Sequence, residues 1–152
     1  MALNLPIYSG KDVNITLSNP LIAPITLAGV NALGLGRVTV RMSTNRTSVQ
    51  IGMDGSPAVS AIPGENGEIE LQVWQTSTTH QLLVNWYNAL KAAQDNGDVT
   101  NWASTTILVQ CIVDGSQHYA TGVGPQKVPD KTYAEQQQLL TWVFVCADIR
   151  HN

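Results

Sequence analysis

The sequence predicts a mainly β protein, an antiparallel β-sandwich or partly closed barrel with one packed α-helix. Three observations predict it. Apolar and polar residues alternate with period two in several short runs, the pattern of strands buried on one face. Asp-Gly and Asn-Gly pairs punctuate those runs as turn signals. Apolar residues at helical spacing occur in a single stretch, between Thr76 and Gly97.

The elements follow in order. Val13, Ile15 and Leu17 alternate with Asp12, Asn14 and Thr16, a first strand over residues 11–17 that Asn19-Pro20 ends. Residues 21–36 are apolar but full of Pro, Gly and Ala, with a weak strand signal at 25–27 and a flexible Gly34-Leu35-Gly36. The run is too apolar for a free loop, and is expected to lie along the sheet or against a neighbour. Val38, Val40 and Met42 alternate with Arg37, Thr39 and Arg41. Asp54-Gly55 then offers the positive φ values of a tight turn joining residues 47–53 to 56–62. Asn66-Gly67, after Pro63-Gly64, reads as a second turn, beyond which Ile69, Leu71 and Val73 alternate with Glu68, Glu70 and Gln72.

The hydroxyls of Thr76, Ser77, Thr78 and Thr79 offer N-caps to a helix. Its apolar face is Leu82, Leu83, Trp86, Tyr87, Leu90 and Ala93, of which Leu83, Trp86, Tyr87 and Leu90 are the core anchors. Lys91 is placed in the last turn and Gly97 is the stop. Residues 105–113 are apolar on both faces and read as a central strand, turned by Asp114-Gly115 into residues 117–122. Gly124-Pro125 and Val128-Pro129 mark an irregular connection through Lys127 and Lys131. Residues 139–149 are a second central strand.

The hairpin over residues 43–62 stands apart. Ser43, Thr44, Asn45, Thr47, Ser48, Gln50, Ser56 and Ser60 make it polar and small, and an isolated hairpin is at best marginal in water. Something other than its own side chains is expected to hold it.

A chain of 152 residues, 43% hydrophobic, suits one domain with a proper core. Charged residues make up only 12%, against about 25% in ordinary soluble domains. Such a surface fits a self-associating protein better than a lone monomer. Net charge is −3 with Lys and Arg scattered, which argues against a phosphate-tracking surface. The start has neither a basic region nor a continuous apolar run, so no secretion signal is read there. The uncharged run after Asp12 is broken by Asn and Pro, so no membrane insertion is expected. Cys111 and Cys146 fall on core strands, where they read as buried free thiols, placed to face each other if their strands are neighbours.

No catalytic, cofactor or metal constellation emerges. His80, His118 and His151 lack second ligands at metal spacing. There is no G-x-S-x-G elbow, and Gly34-Leu35-Gly36 and Gly122-Val123-Gly124 read as turns rather than phosphate loops. The chain reads as no enzyme. Trp86 and Trp142 suit the core, while Trp74 and Trp102 suit a rim, an interface or a sugar platform. Glu65, Glu68 and Glu70 lie close together, either a solvated face or an acidic surface that repels nucleic acid.

The order of features resembles a known family. Tyr8-Ser9-Gly10-Lys11-Asp12-Val13 opens the chain, and a strand ending at Met42 leads to Asp54-Gly55-Ser56. Gly64-Glu65-Asn66-Gly67-Glu68 and Gln75-Thr76-Ser77 precede the helix, and Lys127-x-Pro129 and Asp148-Ile149 close the pattern. From Tyr8 to Asp148 this resembles the small tail tube proteins of tailed bacteriophages, related in architecture to type VI secretion tubes. Ala58-Val59-Ser60-Ala61 departs from the pattern, lacking the polar residue expected before the serine.

The resemblance implies a phage tail-tube-like fold over residues 1–152, with an N-terminal arm at about 1–10 and a stacking hairpin at about 43–62. It implies six-membered rings that stack into a channel for DNA, which passes without specific binding. Partners would be further copies of the chain and the sheath, tape measure, terminator and baseplate proteins. The place would be the virion tail, assembled in the host cytoplasm. Under this reading Asn45, Arg46, Thr47, Val49, Ile51, Met53, Asp54 and Gly55 bridge rings, and Glu65, Glu68 and Glu70 include lumen-facing residues. The alternatives are another tail component (baseplate ring, terminator or decoration protein) and a carbohydrate-binding β-sandwich.

Overall fold

The alternating runs become one antiparallel sheet wrapped around a helix. A computed structural model describes residue 7, residues 12–28 and residues 35–152. The expected N-terminal arm lies outside these residues apart from Ile7, as does Gly34. In chain order the elements are β1 (Val13–Asn19), β2 (Ile22–Ala28), β3 (Leu35–Met42), β4 (Thr47–Ile51), β5 (Pro57–Ala61) and β6 (Gly67–Trp74). Helix α1 (Thr78–Asp95) follows, then β7 (Thr105–Cys111), β8 (Gln117–Pro125) and β9 (Leu139–His151). Among the described residues seven strands pair in the order β2-β1-β7-β8-β9-β6-β3, while β4 and β5 pair only with each other.

The sheet is curled into a half-barrel. Helix α1 packs against both β2 and β6, the first and sixth strands of that order, which a flat sheet would hold far apart. At the end away from the helix, Val13 and Val109 share a recess with Val38 and Val40 from the opposite side of the sheet. Gly122 (φ +63°) marks the bend in β8, where a Cβ would lie 2.6 Å from that of Ala147. On both sides of the bend the buried pairs, Ala120–Ile149 and Val123–Cys146, break strict alternation. Strands β2 and β3 are the open edges among the described residues.

The core fills the concave side. Trp86, Trp142, Phe144, Leu83, Leu90, Ile69 and Leu71 are buried, each large side chain contributing about 1.5–3 kcal/mol by leaving water. Tyr87 is half-buried beside them. Indole N–H groups inside such a core need acceptors. Trp86 Nε1 donates to Thr105 Oγ1 at 3.1 Å, and Thr105 Oγ1 also accepts from Asn19 Nδ2 at 2.8 Å. Trp142 Nε1 donates to His80 Nδ1 at 3.2 Å, so the His80 proton sits on Nε2. Ser77 caps α1 by accepting from the His80 amide, and Gly97 (φ +82°) ends it with Gly97 and Asp98 amides donating to Gln94 and Ala93.

Several expectations are corrected. Strand β2 spans seven residues rather than a weak 25–27, because its backbone pairs with β1 although its sequence does not alternate cleanly. Leu35 and Gly36 belong to β3. Asn66-Gly67 is not a turn: Gly67 starts β6, and a Cβ there would sit 2.1 Å from the Arg41 carbonyl oxygen, so close strand approach demands glycine. The helix runs on to Asp95, which leaves Lys91 before its last turn. Strand β7 stops at Cys111, leaving Ile112 and Val113 exposed in the turn. Cys111 and Cys146 are free, and β8 separates their strands.

Burial first, then the positive charge of Lys131, holds the His80 imidazole below its ordinary pKa of 6.5. A group kept neutral by folding stabilises fully above the unfolded pKa, and that stability is lost as pH falls through the folded value. Urea midpoints are therefore expected to fall as pH drops below 6.5, and His80→Gln should flatten that slope. An unchanged slope in the variant would assign the acid sensitivity elsewhere.

Candidate assembly interface

The β4–β5 hairpin leaves the sheet between β3 and β6 and stays in solvent: every residue of β5 and all but Ser48 of β4 are exposed. Its register pairs Thr47 with Ala61, Val49 with Val59 and Ile51 with Pro57. Side chains alternate across a ribbon, so Val49, Ile51, Pro57, Val59 and Ala61 share one face and Ser48, Gln50 and Ser60 the other. The sequence reading of polar, small arms holds for one face and is corrected for the other. One face is an apolar stripe, with Val49, Ile51 and Val59 at 56%, 66% and 69% exposure.

At the tip Gly55 alone has positive φ (+83°), not the Asp54-Gly55 pair. Met53, Asp54 and Gly55 form a three-residue loop closed by Gly52 N–H to Ser56 O (2.8 Å) and Gly55 N–H to Gly52 O (2.9 Å). Asp54 Oδ1 accepts from the Ser56 hydroxyl (2.6 Å) and amide (3.0 Å). Those bonds, the hydroxyl's first, hold the Asp54 carboxyl below the ordinary 3.8. Met53 beside it is wholly exposed. The same arrangement recurs at Asp114-Gly115-Ser116.

Polar contacts fix the hairpin root. Ile62 N–H donates to Arg46 O (2.8 Å), Arg46 Nε donates to Ile62 O (2.5 Å), and Arg46 pairs with Glu65. Asn45 lies just before β4, opposite no strand of the large sheet. The Thr44 hydroxyl donates to Asn66 Oδ1 (2.5 Å), and Ser43 N–H to Asn66 O (3.0 Å). Nearby, His118 Nδ1 lies 2.7 Å from His151 Nδ1, and His151 Nε2 lies 3.2 Å from Met42 Sδ. One ring donates and the other accepts, and burial followed by the charge of His151 holds His118 below its ordinary pKa. These histidines are 33 positions apart, a separation at which no spacing rule signals a pair. Among the described residues no three His, Cys, Asp or Glu side chains gather as a metal site would.

The three glutamates do not form one bare acidic patch. Glu65 belongs to the hairpin root with Arg46. Glu68 and Glu70 project from β6 on the face away from α1, where Arg41 reaches Glu68 (3.4 Å) and Glu70 (2.8 Å), and Arg37 lies 4.0 Å from Glu70. Each carboxylate on that strand faces a guanidinium from β3, giving a charge-balanced row.

The opposite end of β6 carries different features. Trp74 and its register partner Leu139 are both partly exposed there. A recess of about 550 Å³ lies between the start of α1 and the loop after β8, with Val84, Val128 and Lys131 in its lining. Trp102 is half-buried against Gly124, so the two candidate sugar-stacking indoles differ in environment. Ile112 (62% exposed) and Val113 lie at the hairpin end of the sheet. The apolar second face of residues 105–113 was their signal.

The family model described as Bacteriophage PhiTE tail tube protein matches residues 5–152. A search of curated proteins returned no match. Among solved structures, a chain of the cryo-EM structure of the anti-feeding prophage (AFP) baseplate, 6-fold symmetrised, is similar at TM-score 0.63 and 12% identity, covering 99% of this chain and 97% of that one. A chain of the PVC extracellular contractile injection system sheath/tube terminator, extended state, gives TM-score 0.59 and 12% identity over 99% of each chain. A chain of the PVC sheath-tube complex, extended state, gives 0.55 and 9%, covering 93% and 88%. At these identities the structural likeness shows the shared fold.

Arg41 bridges two carboxylates at the surface, where exposed ion pairs contribute little each. Arg41→Ala is expected to lower stability by about 0.5–1 kcal/mol at low salt. That loss should shrink in about 1 M NaCl, where the screening length is a few ångströms. A salt-independent loss in urea unfolding would mean that Arg41 acts through packing instead.

Proposed function

The chain belongs to the Bacteriophage PhiTE tail tube protein family, and from that premise we propose that it is the protomer of the tail tube itself. It is a structural tail protein, not an enzyme. Residues 1–152 act as a single tube domain, and copies close into rings, taken as hexameric. Stacked rings then form the channel through which DNA leaves the virion. The observation that carries this reading is the hairpin. An exposed ribbon with an apolar stripe, whose strands pair with no other strand among the described residues, suits burial on another copy. The open edges β2 and β3 suit pairing around a ring, which removes the liability of free strand edges. Assembly follows synthesis in the host cytoplasm, with sheath, tape measure, terminator and baseplate proteins as neighbours.

A second reading places the chain in an end ring. Similarity to baseplate and terminator chains over nearly their whole length favours it.

Glu65, Glu68 and Glu70 are proposed to border the bore. The ion pairs suggest how they would act there. Glu68 and Glu70 neutralise Arg37 and Arg41, guanidiniums that would otherwise grip passing phosphates.

Two experiments test these proposals. Deleting residues 45–60 should abolish tubes in negative-stain electron microscopy while circular dichroism still reports the folded sheet. Loss of the fold itself would make the segment core. Glu68→Gln with Glu70→Gln, carried by phage, should leave tails assembled yet slow DNA release and reduce infectivity. Unchanged release kinetics would remove both residues from the bore.

A further inference from the structure

Strand β6 links two unlike features. At its start the hairpin enters from Ile62 and the loop through Asn66, and at its end lies the recess beside α1. Eight residues separate these ends, about 27 Å of extended strand. A projection at one end and a recess at the other form a heterologous pair, and repeating that contact generates a filament.

The two surfaces match in chemistry. The hairpin tip presents a wholly exposed Met53 and the carboxylate of Asp54, kept ionised by its bonds from Ser56. The recess offers Val84 and Val128 as apolar wall and Lys131 as its single charged lining residue, with the Lys131 ammonium 5.4 Å from the Tyr133 ring. Its roughly 550 Å³ accommodates a methionine and an aspartate side chain together. No carboxylate is among its lining residues to repel Asp54.

We propose that the recess between α1 and residues 128–131 is the seat for the hairpin tip of the next copy along the tube, Met53 packing on Val84 and Val128 while Asp54 faces Lys131. This rests on the head-to-tail stacking read above, and names the surface that receives the hairpin. Val49, Ile51 and Val59 then lie along the approach to the seat, near exposed Trp74 and Leu139 of the receiving copy.

The test is complementation of phage lacking this protein, scored by tails counted in electron micrographs. Asp54→Lys and Lys131→Glu should each cut tail yield by at least about tenfold, since like charges in an interface cost several kcal/mol. Combining them should restore most of the yield. Asp54→Asn keeps an acceptor for Ser56 and isolates the charge from the turn; it should lower yield several-fold, and adding Lys131→Gln should lower it no further. Single variants that match the wild type, or a double variant no better than its parents, would overturn the seat. The hairpin deletion separates the two levels. If it too assembles normally, stacking through the hairpin fails; if it alone fails, stacking stands and the tip docks elsewhere.

Discussion

Trp86 sits where α1 meets β1, β7 and β9, and the curl of the sheet depends on keeping it dry and hydrogen-bonded. Its indole is fully buried, packs 5.5 Å from the Phe144 ring, and donates to a threonine hydroxyl that also receives Asn19. That hydroxyl ties the end of β1, the start of β7 and the helix to one point. Helix α1 fills the concave side between β2 and β6, and among the described residues β2 and β3 do not pair.

Surface chemistry follows from this arrangement. With only 12% charged residues, the chain uses its ionic groups locally: Arg41 and Arg37 on Glu68 and Glu70, Arg46 on Glu65, Asp54 and Asp114 on their own turns. Little charge is left to solvate Ile112, Val113, Trp74, Leu139 and the hairpin stripe. A stable protein–protein interface buries roughly 1,600 Å² in total. In the proposed tube, protomers joined laterally and axially would reach that through several modest contacts, and the assembly would persist because many must break together.

Much of the fold was legible because alternation survives wherever one sheet face meets the core. Val13, Ile15 and Leu17, and Ile69, Leu71 and Val73, were readable for that reason, as was the Leu83, Trp86, Leu90 face of α1. Strand β2 was not, since Pro24 and the alanines blur its period although its backbone pairs normally. Gly67 misled because the same residue serves turns and close strand approach, and only the Arg41 carbonyl decides between them. Residues 105–113 show a deeper limit. Their apolar second face signals burial, but a sequence does not say whether the cover is intramolecular. Here Leu108 is half-buried and Ile112 exposed within the chain. The stripe on the hairpin was hidden in the same way, by the serines and glutamine between its valines. Paired histidines and the lysine-lined recess come from distant segments, and no spacing rule brings those together.

The hairpin's bonds are nearly all its own: a five-residue ladder, a three-residue loop and a root held by Arg46 and Asn66. Ribbons of this kind open and close within microseconds. On the proposed stacking, a free protomer would offer its docking shape for only part of the time, and its apparent affinity for another copy would be reduced by that fraction. Under that proposal encounters in dilute solution are discouraged, whereas a growing tube end that presents several seats at once would capture the closed form. Under the same proposal the ribbon would work as a kinetic brake, letting the chain accumulate at high concentration and wait for a template before it polymerises.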